Sequence, residues 1–184
     1  MSFLTEEELQ LLGCKSLGTD VRISRYARLY NAAQITIGSH VRVDDFCILS
    51  AGEAPFILED HIHISAGVKI YGQYGFQMKS FSNISVDSRV FTQSDDFSGE
   101  AMIGPMVDLR YRNVYGYPLI IEKHVVIGAG STILPCCTIG EGAAFGAHSL
   151  LKGTYDPWCI YAGSPAKYIK ERSKHLVELE KAIS

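Results

Sequence analysis

The chain has 184 residues, of which 47 % are hydrophobic and 20 % charged, with a formal net charge of −3. That is the composition of one ordinary globular domain, and it lacks the basic excess of a general nucleic-acid binder. No apolar run approaches the ~20 residues that cross a bilayer and the acidic start has no signal-peptide pattern, so a cytoplasmic chain without membrane insertion is expected.

Thr5-Glu-Glu-Glu-Leu-Gln-Leu-Leu-Gly13 predicts a short helix: Thr5 and Glu8 form a capping box, acidic residues fill the first turn and Gly13 closes it. Residues 1–20 are read as this helix and a cap over whatever follows. From residue 21 a rhythm of six begins. Ile23 and Leu29 open it, Ile37 leads to Val43 and Leu49, Leu58 to Ile64 and Ile70, and Ile84 to Val90. The pattern is cleanest in Ile121-Glu-Lys-His-Val-Val, Ile127-Gly-Ala-Gly-Ser-Thr, Ile133-Leu-Pro-Cys-Cys-Thr, Ile139-Gly-Glu-Gly-Ala-Ala, Phe145-Gly-Ala-His-Ser-Leu and Leu151. A large apolar residue opens each hexad, and the residue four places on is small or β-branched. Neither a helix nor an ordinary strand has that period, whereas a parallel β-helix does, with one short strand and one corner per hexad. The expected fold is therefore all-β, a solenoid over residues 21–155 in a single domain of residues 1–184.

Three stretches break the rhythm: a small one at Glu53–Pro55, one near 71–83, and the longest from about 94 to 118. Tyr71-Gly-Gln-Tyr-Gly-Phe-Gln-Met reads as a loop, either filling a gap or walling a substrate site. Thr92-Gln-Ser-Asp-Asp-Phe-Ser-Gly99 opens the long excursion, whose aromatic content argues for order and whose length argues for function. After the hexads, Ser164 and Pro165 predict an N-cap and first turn, with a C-terminal helix over 164–183. Five cysteines, odd in number and without a CxxC pair, make neither a disulfide framework nor a zinc site; Cys47 and Cys137 fall on the small inward position.

The hexads ending in Leu151, followed by Tyr161-Ala-Gly-Ser-Pro-Ala-Lys-Tyr-Ile-Lys, resemble the hexapeptide-repeat acyltransferases, the family that includes galactoside and amino-sugar acetyltransferases. The likeness covers roughly residues 20–172. It implies a left-handed parallel β-helix, a homotrimer with sites between neighbours, and acetyl-coenzyme A or another acyl-coenzyme A as co-substrate, with no metal. The reaction implied is acyl transfer to a sugar hydroxyl or amine, on a nucleotide-linked or polysaccharide-precursor sugar. On matching positions it implies donor contacts from Ala129, Ala147, Lys152, Lys167 and Lys170, the last two at the start of the final helix, whose N-terminus would add free N–H groups.

Many relatives carry a histidine in a Thr-x-His-Pro element after the central coils, and this chain has Thr92-Gln-Ser-Asp there instead. Acyl transfer needs a group to take a proton from the nucleophile. His61 and His63 flank the inward Ile62 and point outward; His63 is the first candidate and His61 the second. His40, His61, His124 and His148 share the fourth place of their hexads, which would make His40 and His61 neighbours in adjacent coils. Asp95 and Asp96 are candidates to orient the base or to grip the acceptor. Two other readings stay open: a zinc lyase resembling γ-class carbonic anhydrases, using His61 and His63, and a non-catalytic trimeric scaffold.

Overall fold

The computed structural model describes residues 2–183. Short strands turn corners and stack into three sheets, parallel except for the last strand of the second, with seven strands on the first face, eight on the second and six on the third. The first face runs from Ser16–Leu17 to Thr154–Tyr155, the second from Arg22–Ile23 to Lys167–Glu171, and the third from Arg28–Tyr30 to Leu150–Leu151. The chain is a left-handed parallel β-helix of about seven turns.

The period of six becomes packing through strand register. On the third face Leu29, Leu49, Ile70, Val90, Ile133 and Leu151 pair in an unbroken inward column. Ile23, Val43, Ile64, Ile84, Ile127 and Phe145 do the same on the second. Most of these side chains are wholly buried, and full burial of one such residue stabilises by ~1.5–3 kcal/mol. The small positions Val125, Ser131, Cys137, Ala143 and Ser149 are buried too. They turn inward at the corners, where the Ser149 hydroxyl donates to the Gly146 carbonyl at 2.7 Å.

The shared fourth place of four histidines has a backbone cause. His40, His61, His124 and His148 all adopt left-handed φ of 55–61° at corners, a region in which histidine is enriched among non-glycine residues. Stacked coils then bring the rings together: His40 lies 4.7 Å from His61, and His61 lies 4.5 Å from Phe81.

Helix α1 (Glu6–Leu11) forms with its capping box, buries Leu9 and ties Glu8 to Arg25 of the first coil. Two sequence expectations are corrected. Residues 71–83 are not a loop excursion but one more coil, with strands Lys69–Gly72, Phe76–Met78 and Asn83–Ile84, and with Phe76 and Met78 buried. The register was hidden because Met78 follows its partner Leu58 by twenty residues, whereas Ile139 follows Ile121 by eighteen. The extra residues are spent in the turn at Gln73–Gly75.

The second correction concerns the C-terminus. Residues 164–183 do not form one helix: Lys167–Glu171 is a strand antiparallel to Cys159–Ala162, and helix α2 spans only His175–Glu180. Tyr168 and Ile169 favour extended backbone, and their strand covers the open edge of the second sheet, satisfying groups that would otherwise be unpaired. Arg172 locks the segment by donating from Nη1 to the carbonyls of His124 and Gly142 at 2.7 and 2.9 Å. Ser164-Pro165 is a turn, so Lys167 and Lys170 have no helix N-terminus beside them.

Candidate active site

Every interruption of the repeat leaves from the corner between the third and first faces. The largest is the arm at 94–118, which opens as an antiparallel hairpin of Gln93–Asp95 with Val114–Gly116. Thr92 roots it. Its buried hydroxyl donates to the Tyr71 carbonyl at 3.2 Å and accepts from the Tyr74 amide at 3.0 Å, while its carbonyl accepts from the Tyr117 amide at 3.0 Å. Gly116 crosses so close that a Cβ there would lie 2.4 Å from the Tyr74 ring.

Between arm and coils opens a cleft of about 1010 Å³. Its floor is Phe91, Leu134 and Pro135 from successive coils; Met102 and Ile103 form the arm's wall. Asp95, Asp96 and Lys152 line it as well, so three of the residues singled out from sequence meet in one place. The combination of an apolar volume with a few charged groups is that of a small-molecule site.

The two aspartates have different duties. Asp96 accepts from the Ser98 amide and hydroxyl at 2.9 and 2.8 Å and from the Ala101 amide at 3.1 Å, so it shapes the loop. Those bonds, the Ser98 amide first, hold its carboxyl below the usual range. Asp95 accepts at Oδ1 from Arg112 Nη2 at 3.2 Å, and its Oδ2 has no partner among the described residues.

His63 and His61 do not line the cleft. His63 stands half-exposed on the second face, its Nε2 2.8 Å from Oδ2 of Asp44. Burial of Asp44 works against its charge, but hydrogen bonds from Arg42 and His63 outweigh this and hold the carboxyl below its ordinary value. His61 is packed within the ring column between His40 and Phe81. The donor candidates divide as well. Ala129 and Ala147 stack along the corner between the second and third faces, where the His148 amide donates to the Ala129 carbonyl at 2.7 Å. Lys167 and Lys170 pair with Ala162 and Ile160 at the end of the second face. Lys152 alone is on the cleft side.

Sequence reasoning missed Arg112 and the floor of Phe91, Leu134 and Pro135. Phe91 and Leu134 follow the inward positions Val90 and Ile133 and so point outward, which could have marked them; nothing periodic marks Pro135 or Arg112. Among the described residues no group of three His, Cys, Asp or Glu side chains is disposed to hold a metal ion, so His61 and His63 do not gather a ligand set within one chain. No helix is long and apolar enough to cross a membrane.

The family model described as "Bacterial transferase hexapeptide (six repeats)" matches residues 118–153. Over 180 residues, 98 % of this chain and 94 % of the relative, the sequence is 41 % identical to dTDP-4-amino-4,6-dideoxy-D-glucose acyltransferase of Escherichia coli. The chain belongs to the hexapeptide-repeat acyltransferases. This acyltransferase uses acyl-coenzyme A and acts on a sugar. It superposes with a TM-score of 0.95, at 44 % identity and covering 99 % of this chain and 96 % of the other, on AntD, an N-acyltransferase from Bacillus cereus solved with dTDP and 3-hydroxybutyryl-CoA. A variant of AntD solved with dTDP-4-amino-4,6-dideoxyglucose and coenzyme A matches equally well.

Proposed function

We propose that this acyltransferase moves the acyl group of acyl-coenzyme A onto the amino group of a dTDP-linked 4-amino-4,6-dideoxy sugar, as a cytoplasmic homotrimer. The observation that carries the reading is Asp95, which lines an apolar cleft large enough for a sugar nucleotide and keeps one carboxylate oxygen outside its bond to Arg112. In the reaction the amine nitrogen attacks the thioester carbonyl carbon, the carbon–sulfur bond breaks, and the proton that the nitrogen gives up ends on the departing sulfur, so that coenzyme A leaves as the thiol. Asp95 Oδ2 accepts a hydrogen bond from the amine and stabilises the positive charge that develops on nitrogen. A carboxylate suffices here because an amine, unlike a hydroxyl, is already a nucleophile. The donor runs along the edge marked by Ala129 and Ala147, with Lys167 and Lys170 toward its phosphates and Lys152 beside the cleft.

AntD has been solved with changes at a serine and at an aspartate ten residues apart, and Ser85 and Asp95 stand at that separation here. Ser85 lies at the corner after Asn83–Ile84, and its hydroxyl accepts from Asn83 Nδ2 at 3.3 Å. In the trimer, the edge of one prism serves the cleft of the next.

The test is thiol release with dTDP-4-amino-4,6-dideoxyglucose against its 4-hydroxy counterpart. Turnover confined to the amine is expected, and equal turnover of the hydroxyl sugar would overturn the reading. A second reading gives the base to His63, on the strength of its 2.8 Å bond to Asp44, with the dyad reaching a neighbour's cleft across the trimer. His63→Ala separates the two: a loss of ~10²–10⁴-fold assigns general-base catalysis to His63, and near-parental turnover leaves the proton with Asp95.

A further inference from the structure

Arg112 is the one cation of the arm whose side chain is drawn inside. It is 13 % exposed, against 77 % for Arg110 two residues earlier, which makes a surface pair with Asp108. Its place follows from the hairpin. Asp95 pairs with Val114, so the residue two before Val114 lies on the same side of the ribbon, diagonal to Asp95 and within reach of a long side chain. Backbone contacts fix that position without help from the guanidinium. The Arg112 amide donates to the Leu109 carbonyl at 3.2 Å, the Met102 amide donates to the Tyr111 carbonyl at 2.8 Å, and Met102 and Arg112 form an isolated bridge.

The guanidinium makes a single bond to Asp95, Nη2 to Oδ1 at 3.2 Å. A two-pronged contact would occupy both carboxylate oxygens; this one holds Oδ1 and leaves Oδ2 free of the guanidinium, on a residue that lines the cleft. Arg112 Nε is buried with no protein partner among the described residues. An ion pair kept for stability alone would be expected to use its donors more fully, since an unmade buried bond is costly. The contact therefore trades bonding for direction.

We propose that Arg112 is a positioning residue for acyl transfer: it fixes the Asp95 carboxylate in the orientation that aims Oδ2 at the acceptor's amine. This rests on the assignment of that amine to Asp95. Arg112 touches neither the acceptor nor the donor, and it acts only through the carboxylate it holds.

A double-mutant cycle tests it, with thiol release measured for the parent, Arg112→Met, Asp95→Asn and the double variant, and with Arg112→Lys and Arg112→Gln as graded replacements. In the parental background Arg112→Met lowers kcat/KM for the amino sugar by roughly 10- to 100-fold and leaves the donor KM in place. In the Asp95→Asn background the same change costs less than about threefold, because the residue it acts through is already gone. Arg112→Lys, which keeps the charge but loses the planar fork, recovers part of the activity. Equal losses in both backgrounds would mean that Arg112 merely shapes the arm, and would overturn the proposal; so would parental activity in Arg112→Met. If Arg112→Met does not fold, the cycle is run with Arg112→Gln, and the same two outcomes decide it. Asp95→Asn at full activity would sink the acceptor assignment and this proposal together, whereas an inactive Asp95→Asn beside an active Arg112→Met sinks only this one.

Discussion

Asp95→Asn is the substitution that most sharply tests the site. It preserves shape and leaves Arg112 Nη2 an oxygen to bond at the present 3.2 Å, but it removes the charge at Oδ2. A hydrogen bond between a charged pair contributes about 1.5–3 kcal/mol, which is roughly 10- to 150-fold in kcat/KM at 1.4 kcal/mol per tenfold. If the carboxylate also takes the proton, general-base catalysis multiplies that loss, and a total of about 10³-fold or more is expected. Stability should move little. The amide oxygen keeps the bond to Arg112 and Asp95 is 34 % exposed, so weakening this pair costs about 1–2 kcal/mol, or a few degrees in Tm for a chain of this size. The assay is thiol release under saturating acyl-coenzyme A with the amino sugar varied, together with a thermal melt. Activity within about threefold of the parent, with an unchanged melt, would refute the argument that Asp95 meets the amine.

Lys167→Ala should raise the donor KM more than it lowers kcat, and donor affinity should fall with added salt because exposed charge contacts are screened; an unchanged donor KM would move the phosphate site away from the last strand. Gly128→Ala should lower Tm by roughly 3–12 °C, from an overpacking cost of about 1–3 kcal/mol, because the new Cβ would meet three backbone atoms of the next coil at 2.6 Å. Gly146→Ala should cost less, since its Cβ meets one side-chain atom at 2.9 Å and nothing else closer than 3.7 Å; the reverse order in a melt would contradict the packing account. Arg25 holds the Glu8 carboxyl down to about 2, and Lys123 and then His124 hold Glu180 below its ordinary value. Both folded values are depressed, so the stability these groups carry is complete above the unfolded value of 4.5 and drains as pH falls below it. Melts between pH 6 and pH 3 should therefore decline, and Glu8→Gln should flatten the decline; a curve that Glu8→Gln leaves unchanged would remove that pair from the acid response.

The repeat was legible because a solenoid is a local structure. Each coil packs on its neighbours at a fixed separation, so Ile121 to Leu151 declare the inward column directly, and the small fourth-on positions declare the corners. The legibility failed wherever a corner took extra residues. Phe76 and Met78 are as buried as any hexad opener, yet the turn at Gln73–Gly75 shifted them out of count. It failed again where an edge decided the outcome: Ser164-Pro165 suggests a helix start, but the open margin of the second sheet drew Lys167–Glu171 into a strand. Asp95 was a candidate on type and place alone, one of two adjacent carboxylates that sequence could not tell apart. Only the arm's return separated them, giving Asp96 to the Ser98 and Ala101 amides and Asp95 to Arg112, seventeen residues away. That pairing depends on hairpin register and on which side chain reaches across it, and neither quantity has a period that a sequence can display.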